Sequence, residues 1–187
     1  QAQHQKRPRR LPASARVEGQ PALFFQASHQ GSADHRTQPA VDLTSRIEAS
    51  HSPYHACLAD ALGQLRERWG AALLLDLHSM PPLGIRSGAN PPEFVLGDRF
   101  GAACSPRLTA VVERELESMG YRVARNTPYA GGYTTEHYGR PARGLHALQI
   151  EVSRSLYLDE QNFSKSAGFE GLRRAINIFL ESFMSMA

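Results

Sequence analysis

The sequence predicts an α/β domain, and three observations predict it. Apolar residues recur at helical spacing in three segments, short apolar or alternating runs read as strands, and the two kinds of segment alternate over residues 41–187. A chain of 187 residues holds one domain with a real core, not two large ones.

The first helix lies within "DLTSRIEASHSPYHACLADALGQLRERWG", where Ile47, Tyr54, Leu58, Leu62, Leu65 and Trp69 share one face. Thr44 or Asp42 can cap its start and Gly70 ends it. Pro53 predicts a kink, or a break into two shorter helices, because proline donates no backbone N–H. "AALLLDL" (71–77) follows as a strand apolar enough to be central in a sheet. Residues 79–103 read as one long loop rich in proline and glycine, of a length that tends to serve function. "SPRLTAVVERELESMG" (105–120) is a helix with Ser105 as N-cap, Pro106 at its first position and Gly120 past its end. "YRVARN" (121–126) reads as a strand, and "TPYAGGYTTEHYGRPARG" (127–144) as a second long loop. "LHALQIEVSR" (145–154) alternates as a strand. Residues 166–186 close the pattern as an amphipathic helix through Ile176, Phe179, Leu180 and Phe183.

Residues 1–40 show no helical or strand period beyond the short apolar patch Leu23–Phe25, and read as a disordered tail. That tail holds six Lys/Arg against two Asp/Glu; residues 41–187 hold 15 against 16. The basic pI near 9.1 therefore belongs to the tail. "KRPRR" could serve nucleic acid or targeting, but the near-neutral body has no basic face to track a phosphate backbone, and no nucleic-acid partner is expected. No run reaches the ~18 apolar residues of a membrane helix, no secretory signal is evident, and no membrane partner is expected. Cys57 and Cys104 are too few for a disulfide framework and lack metal spacing, which suits a reducing, cytoplasmic setting.

Ligands of α/β sheets bind beyond strand ends. Three predicted strands end in polar clusters: Asp76–His78–Ser79, Arg125–Asn126 and Glu151–Arg154. Asp76 and His78, two apart, share a strand face. The pair suits an imidazole metal ligand oriented by its neighbour, and equally a hydrogen-bonded core histidine. Glu151 faces the same way as Gln149 and Ser153; a carboxylate there is solvated on an edge strand, paired with arginine, or used. Arg125 and Arg140 could each grip a carboxylate through the planar guanidinium, or form structural ion pairs. His51 and His55 stand four apart on a helix, a spacing that allows two metal ligands but lacks the glutamate of the zinc signature. A serine hydrolase using His78 and Ser79 is disfavoured, because strand neighbours face opposite ways and no nucleophile elbow is present.

In combination, "RIEASHSPYHACLADAL" (46–62), "LLLDLHSMPP" (73–82), "FVLGDRFG" (94–101) and "GYRVARNTPYAGGYTTEHYGRPARGLHALQIEVSRSLYLDE" (120–160) resemble the N-formylglutamate amidohydrolase (deformylase) family. The resemblance implies a zinc-peptidase-like mixed sheet with flanking helices, related to metallocarboxypeptidases. It implies zinc-dependent hydrolysis of N-formyl-L-glutamate to formate and L-glutamate in histidine degradation. Under it His78 is a metal ligand, Glu151 the general base, and Arg125, Asn126 and Arg140 bind the carboxylates of a small anionic amide. The first two metal ligands of the family are expected from an "HSG"-type motif and a downstream acid ahead of the helix. "ASHQGS" (27–32) is a poor substitute, so the chain is expected to be an incomplete copy, the C-terminal portion, with an incomplete metal cage. The alternative is a non-catalytic remnant that binds a small carboxylate ligand or a partner chain. An incomplete sheet would also leave edge and apolar surface uncovered, which predicts self-association.

Overall fold

The computed structural model describes residues 44–84 and 90–185; the predicted tail, its "KRPRR" patch and "ASHQGS" lie outside them. From the first described residue, 44, the chain is helical; it widens into a π-helical turn at Ile47–His51 and continues as α1, Ser52–Trp69. The expected break at Pro53 does not occur. The wider turn sits where proline withholds a donor, and the chain stays helical through it. Gly70 ends α1 in the left-handed region, φ 79°, and its N–H donates to the Arg66 carbonyl at 2.7 Å.

Strand β1 spans Ala72–Met80 and β2 Phe94–Gly97. Helix α2, Pro106–Ser118, is capped by the Ser105 side chain, which accepts from the Leu108 N–H. Then come β3 (Val123–Arg125), α3 (Tyr133–Tyr138) and β4 (Leu145–Ser153), followed by a small β5–β6 hairpin (Leu158–Asp159 and Ser164–Lys165) and α4 (Phe169–Ser185). The main sheet has the order β1-β4-β2-β3, with β1 parallel to β4, β2 antiparallel to β4, and β3 parallel to β2. The mixed α/β class predicted from sequence is the one observed.

Two expectations are corrected. The loop predicted over 79–103 contains β2, whose four residues are all buried; so short a run shows no period of its own, and pairing on both sides makes it a strand. The loop predicted over 127–144 contains α3, one and a half turns held between Gly132 and Gly139. β1, apolar enough to be central, pairs only with β4 among the described residues. Of the readings open for Glu151, the solvated edge strand is excluded: β4 is flanked by β1 and β2, and the carboxylate is buried.

The sheet buries both faces. On one, Leu96, Leu148, Ile150 and Val152 meet Val112 and Leu116 of α2 and Leu172 and Phe179 of α4, with Leu73, Leu75 and Leu77 of β1 packed alongside. On the other, Ala72, Leu74 and Ala147 meet Leu58 and Leu62 of α1 and Tyr138 of α3. Each fully buried Leu, Val or Phe contributes about 1.5–3 kcal/mol, so these two layers fix the strand ends that carry the polar residues.

Candidate active site

The parallel register sets His78 beside Glu151 and Asp76 beside Gln149. Because residues two apart share a face, all four side chains gather on the α1 side of the sheet, at the carboxyl ends of two parallel strands. The same face is apolar at its start, through Ala72, Leu74 and Ala147, and turns polar as the strands end. Asp76, Gln149 and Glu151 are all buried, so the cluster is a built feature of the interior and not a solvated rim.

Gln149 Nε2 donates to Glu151 Oε1 at 2.7 Å. Burial pushes the Glu151 carboxyl above the ordinary glutamate value, and the neighbouring His78 and the Gln149 hydrogen bond oppose that rise. The His78 imidazole is pushed up by the Asp76 carboxylate, against the effect of its own burial. Asp76 Oδ2 lies 2.9 Å from His78 Nε2. The contact is close but off the hydrogen-bond axis: Nε2 is buried and makes no directed hydrogen bond. A buried carboxylate of raised basicity beside an imidazole is a combination suited to general acid–base work. Ser79 lies on the other face, opposite Val152, and has no part in it.

The other predicted site residues are not brought to this cluster. Arg125 pairs with Leu96 in register, on the α2 face, and its guanidinium forms an ion pair with Glu113 of α2. Asn126 holds a loop: its Oδ1 accepts from the backbone N–H of Asp98 at 3.1 Å and of Phe100 at 3.3 Å, and its Nδ2 donates to Asp98 Oδ1 at 2.8 Å. Arg140 is exposed and donates to the carbonyls of Glu136 and Gly139 at 2.7 and 2.6 Å.

Sequence reasoning missed two contributors. Gln149 was visible as a face-mate of Glu151, but its bond to that carboxylate depends on side-chain conformation. Asp98, in the quoted "FVLGDRFG", is buried and accepts from Thr109 Oγ1 at 2.9 Å and from the Gly101 N–H at 3.1 Å, so it organises the β2 exit.

A catalytic zinc takes about three protein ligands. The buried Nε2 of His78, with no directed partner, has the chemistry of one. Among the described residues no group of three His, Cys, Asp or Glu side chains could hold a metal. The described residues thus fit part of a metal site, and any further donors come from elsewhere. His51 and His55 do adjoin, with ring centroids 4.1 Å apart.

With this geometry in place, the relatives are informative. The family model described as N-formylglutamate amidohydrolase matches residues 6–158, reaching into the segment read as a tail. A curated N-formylglutamate deformylase of Pseudomonas aeruginosa is 37% identical over 143 residues, 72% of this chain and 52% of that protein. One of Pseudomonas putida is 39% identical over 121 residues, 61% of this chain and 43% of that protein. The chain spans about half the length of the curated relatives it matches. The crystal structure of an N-formylglutamate amidohydrolase from Ralstonia eutropha JMP134 superimposes with a TM-score of 0.68 at 40% identity, covering 74% of this chain and 51% of that one. A protein of Agrobacterium tumefaciens shares the fold at 19% identity and a TM-score of 0.51, over 79% of this chain and 57% of that one. A family match over most of the length, and identity at this level, establish that the chain belongs to the N-formylglutamate amidohydrolase family.

Proposed function

We propose that Glu151 and His78 serve the hydrolysis of N-formyl-L-glutamate to formate and L-glutamate, a step of histidine degradation, within a zinc-peptidase-like fold. The observation that carries the reading is the buried Glu151 carboxylate set in register beside His78, whose Nε2 has no directed partner. The names of the relatives support the substrate. The alkyl and formyl parts of that substrate would lie over the polar end of the α1-side face.

Glu151 takes a proton from the attacking water and returns it to the amide nitrogen as the C–N bond breaks, since an amine departs poorly as an anion. Burial suits it to that work: a carboxyl held above its ordinary range is a stronger base once ionised. Gln149 keeps Oε1 in place without neutralising it. His78 would hold a divalent ion, zinc by family resemblance, with donors from outside the described residues; when bound, such an ion supplies Lewis-acid polarisation of the formyl oxygen. Among the described residues no helix is long and apolar enough to cross a membrane; a cytoplasmic site of action is part of the proposal, resting on cysteine usage. Self-association is proposed as well, through the outer edge of β1, which among the described residues pairs only with β4.

The incomplete donor set among the described residues favours a second reading, a non-catalytic member of the fold that binds a small carboxylate ligand or a partner chain. Zinc content and formate release, measured on the wild-type chain, His78→Ala and Glu151→Gln, separate the two. Hydrolysis predicts near-stoichiometric zinc that His78→Ala loses and Glu151→Gln keeps, with formate release slowed ~10²–10⁴-fold in Glu151→Gln. Folded wild-type protein that binds glutamate but releases no formate would establish the binding reading instead.

A further inference from the structure

A dicarboxylate substrate needs cationic or hydrogen-bonding partners on the Glu151 side of the sheet, and three of the described arginines are already engaged. Arg125 serves Glu113 on the opposite face, Arg140 donates to two backbone carbonyls, and Arg99 pairs with Glu136 at 3.4 Å. Three imidazoles converge on that side instead. His51 and His55 come from successive turns of the first helix and His137 from α3; the His55 ring lies 4.1 Å from His51 and 6.0 Å from His137, centroid to centroid. Tyr133 stacks on His137 at 5.1 Å, with its hydroxyl 3.3 Å from His137 Nδ1, and stands 5.4 Å from His55.

The hydrogen bonds fix which nitrogen of His55 is available. Tyr138 Oη lies 2.6 Å from His55 Nδ1 and 3.2 Å from the His55 carbonyl, so Tyr138 engages the Nδ1 side of the ring. Nε2 is then the nitrogen left to face a ligand, and the protonated ring presents an N–H there. Burial first, and then the charges of His51 and His137, hold the His55 imidazole below its ordinary value. An anion among the three rings reverses that repulsion.

Two contact paths join the cluster to the candidate active site. Tyr54, edge-on to His55 at 5.0 Å, has its phenol raised by burial and, second, by the Asp76 carboxylate. Gly132, at the start of α3, is so close to Gln149 that a Cβ there would stand 3.3 Å from Oε1, and Gln149 bonds Glu151.

We propose that His51, His55 and His137, walled by Tyr133 and Tyr138, form the seat of a substrate carboxylate and so act as specificity-determining residues. This deepens the hydrolytic reading and rests on it for the reacting end of the substrate. A metal is the competing occupant of any imidazole cluster, and the spacing among the described residues does not favour it.

Among the described residues Tyr54 of α1 and Tyr133 and Tyr138 of α3 contact these rings, while Asp76 of β1 acts on Tyr54 and Glu136 of α3 pairs with Arg99. None of these three tyrosines and two carboxylates carries a positive charge, so within this cluster the imidazoles are the groups that can become cationic. Glutarate, which carries two carboxylates and no scissile bond, is the probe. Histidine ring resonances of the full chain are followed by NMR as glutarate is added, at about pH 6 and about pH 8, on either side of the ordinary imidazole value. The expected result is that the resonances of His51, His55 and His137 move together, that their titration midpoints rise with glutarate, and that affinity is about tenfold greater at the lower pH. His55→Gln and His137→Gln, which keep a neutral hydrogen-bonding group, should each weaken glutarate about tenfold with unchanged far-UV circular dichroism. Glutarate that leaves these resonances unmoved overturns the proposal, as does zinc that moves them where glutarate does not. Formate release and its dependence on Glu151 are scored separately. A chain that hydrolyses N-formylglutamate without histidine shifts refutes the carboxylate seat alone. One that shows the shifts but no formate refutes hydrolysis and leaves the seat standing.

Discussion

Replacing Gly97 with alanine would place a methyl group between two backbones. A Cβ on Gly97 would lie 2.6 Å from the Gly131 nitrogen and 2.8 Å from the Ala130 carbonyl carbon, where carbon contacts are comfortable at about 3.5–4.0 Å. An overlap of roughly 1 Å with backbone atoms cannot be relieved by a side-chain rotation. β2 cannot recede, because it pairs with β4 on one side and β3 on the other and all four of its residues are buried. The loop at 130–131 must move instead, and it is tied to β2's exit by the Arg99 N–H donating to the Ala130 carbonyl at 2.8 Å. Losing that bond costs about 1 kcal/mol and residual overpacking about 1–3 kcal/mol, so a destabilisation of about 2–4 kcal/mol is expected. For a chain of this size that lowers Tm by about 4–16 °C. Thermal and urea unfolding followed by circular dichroism read it, with the urea midpoint falling at unchanged slope. Gly63→Ala is the internal control: a Cβ at Gly63 of α1 would meet nothing within 4 Å, so the substitution should gain about 0.5–1 kcal/mol. Because Gly97 is opposite Gln149 and the same loop leads to Gly132, Gly97→Ala should also impair any activity that depends on Glu151. A Gly97→Ala protein melting within about 1 °C of wild type would refute the packing on which the site's geometry rests.

Arg125→Met should cost about 1 kcal/mol of stability through loss of the Glu113 pair and leave KM for an anionic substrate within about twofold; a large rise in KM with unchanged stability would return Arg125 to the substrate. Glu151→Gln should raise the stability of metal-free protein at neutral pH. Because burial raises the folded carboxyl above its unfolded value, ionisation penalises the folded state as pH rises through the window between the two values, and above that window the penalty is complete. Urea midpoints for both proteins at about pH 4 and about pH 7 test this, and equal midpoints at neutral pH would contradict it. Burial pushes the Cys104 thiol up to about 11, while Cys57 is exposed. At about pH 8 a thiol reagent should therefore label Cys57 in native protein and reach Cys104 only after unfolding; prompt labelling of Cys104 in folded protein would place it outside the core.

The helices were legible because their signals are local. Ser105 and Pro106 start α2 where the sequence says they should, Gly70 turns left-handed at the end of α1, and the spacing of Leu58 and Leu62 marks the buried face. β1 and β4 were legible as apolar and alternating runs. β2 and α3 were not, since four and six residues carry too little pattern to stand out from the Pro- and Gly-rich stretches around them. Pro53 shows the reverse case: a strong local signal for a break was absorbed by one π-helical turn.

The amino-acid sequence by itself determined the α/β class, the family, and the candidacy of His78 and Glu151, because composition, capping, periodicity and motif order are all written along the chain. Tertiary structure decided which candidates meet. The parallel pairing of β1 with β4 brings His78 to Glu151, while the register of β3 on β2 turns Arg125 to the far face, where Glu113 takes it. Strand partner and register are set by contacts between residues distant in sequence. A shift of one residue would exchange the faces, so neither the joined pair nor the separated arginine can be read from spacing alone.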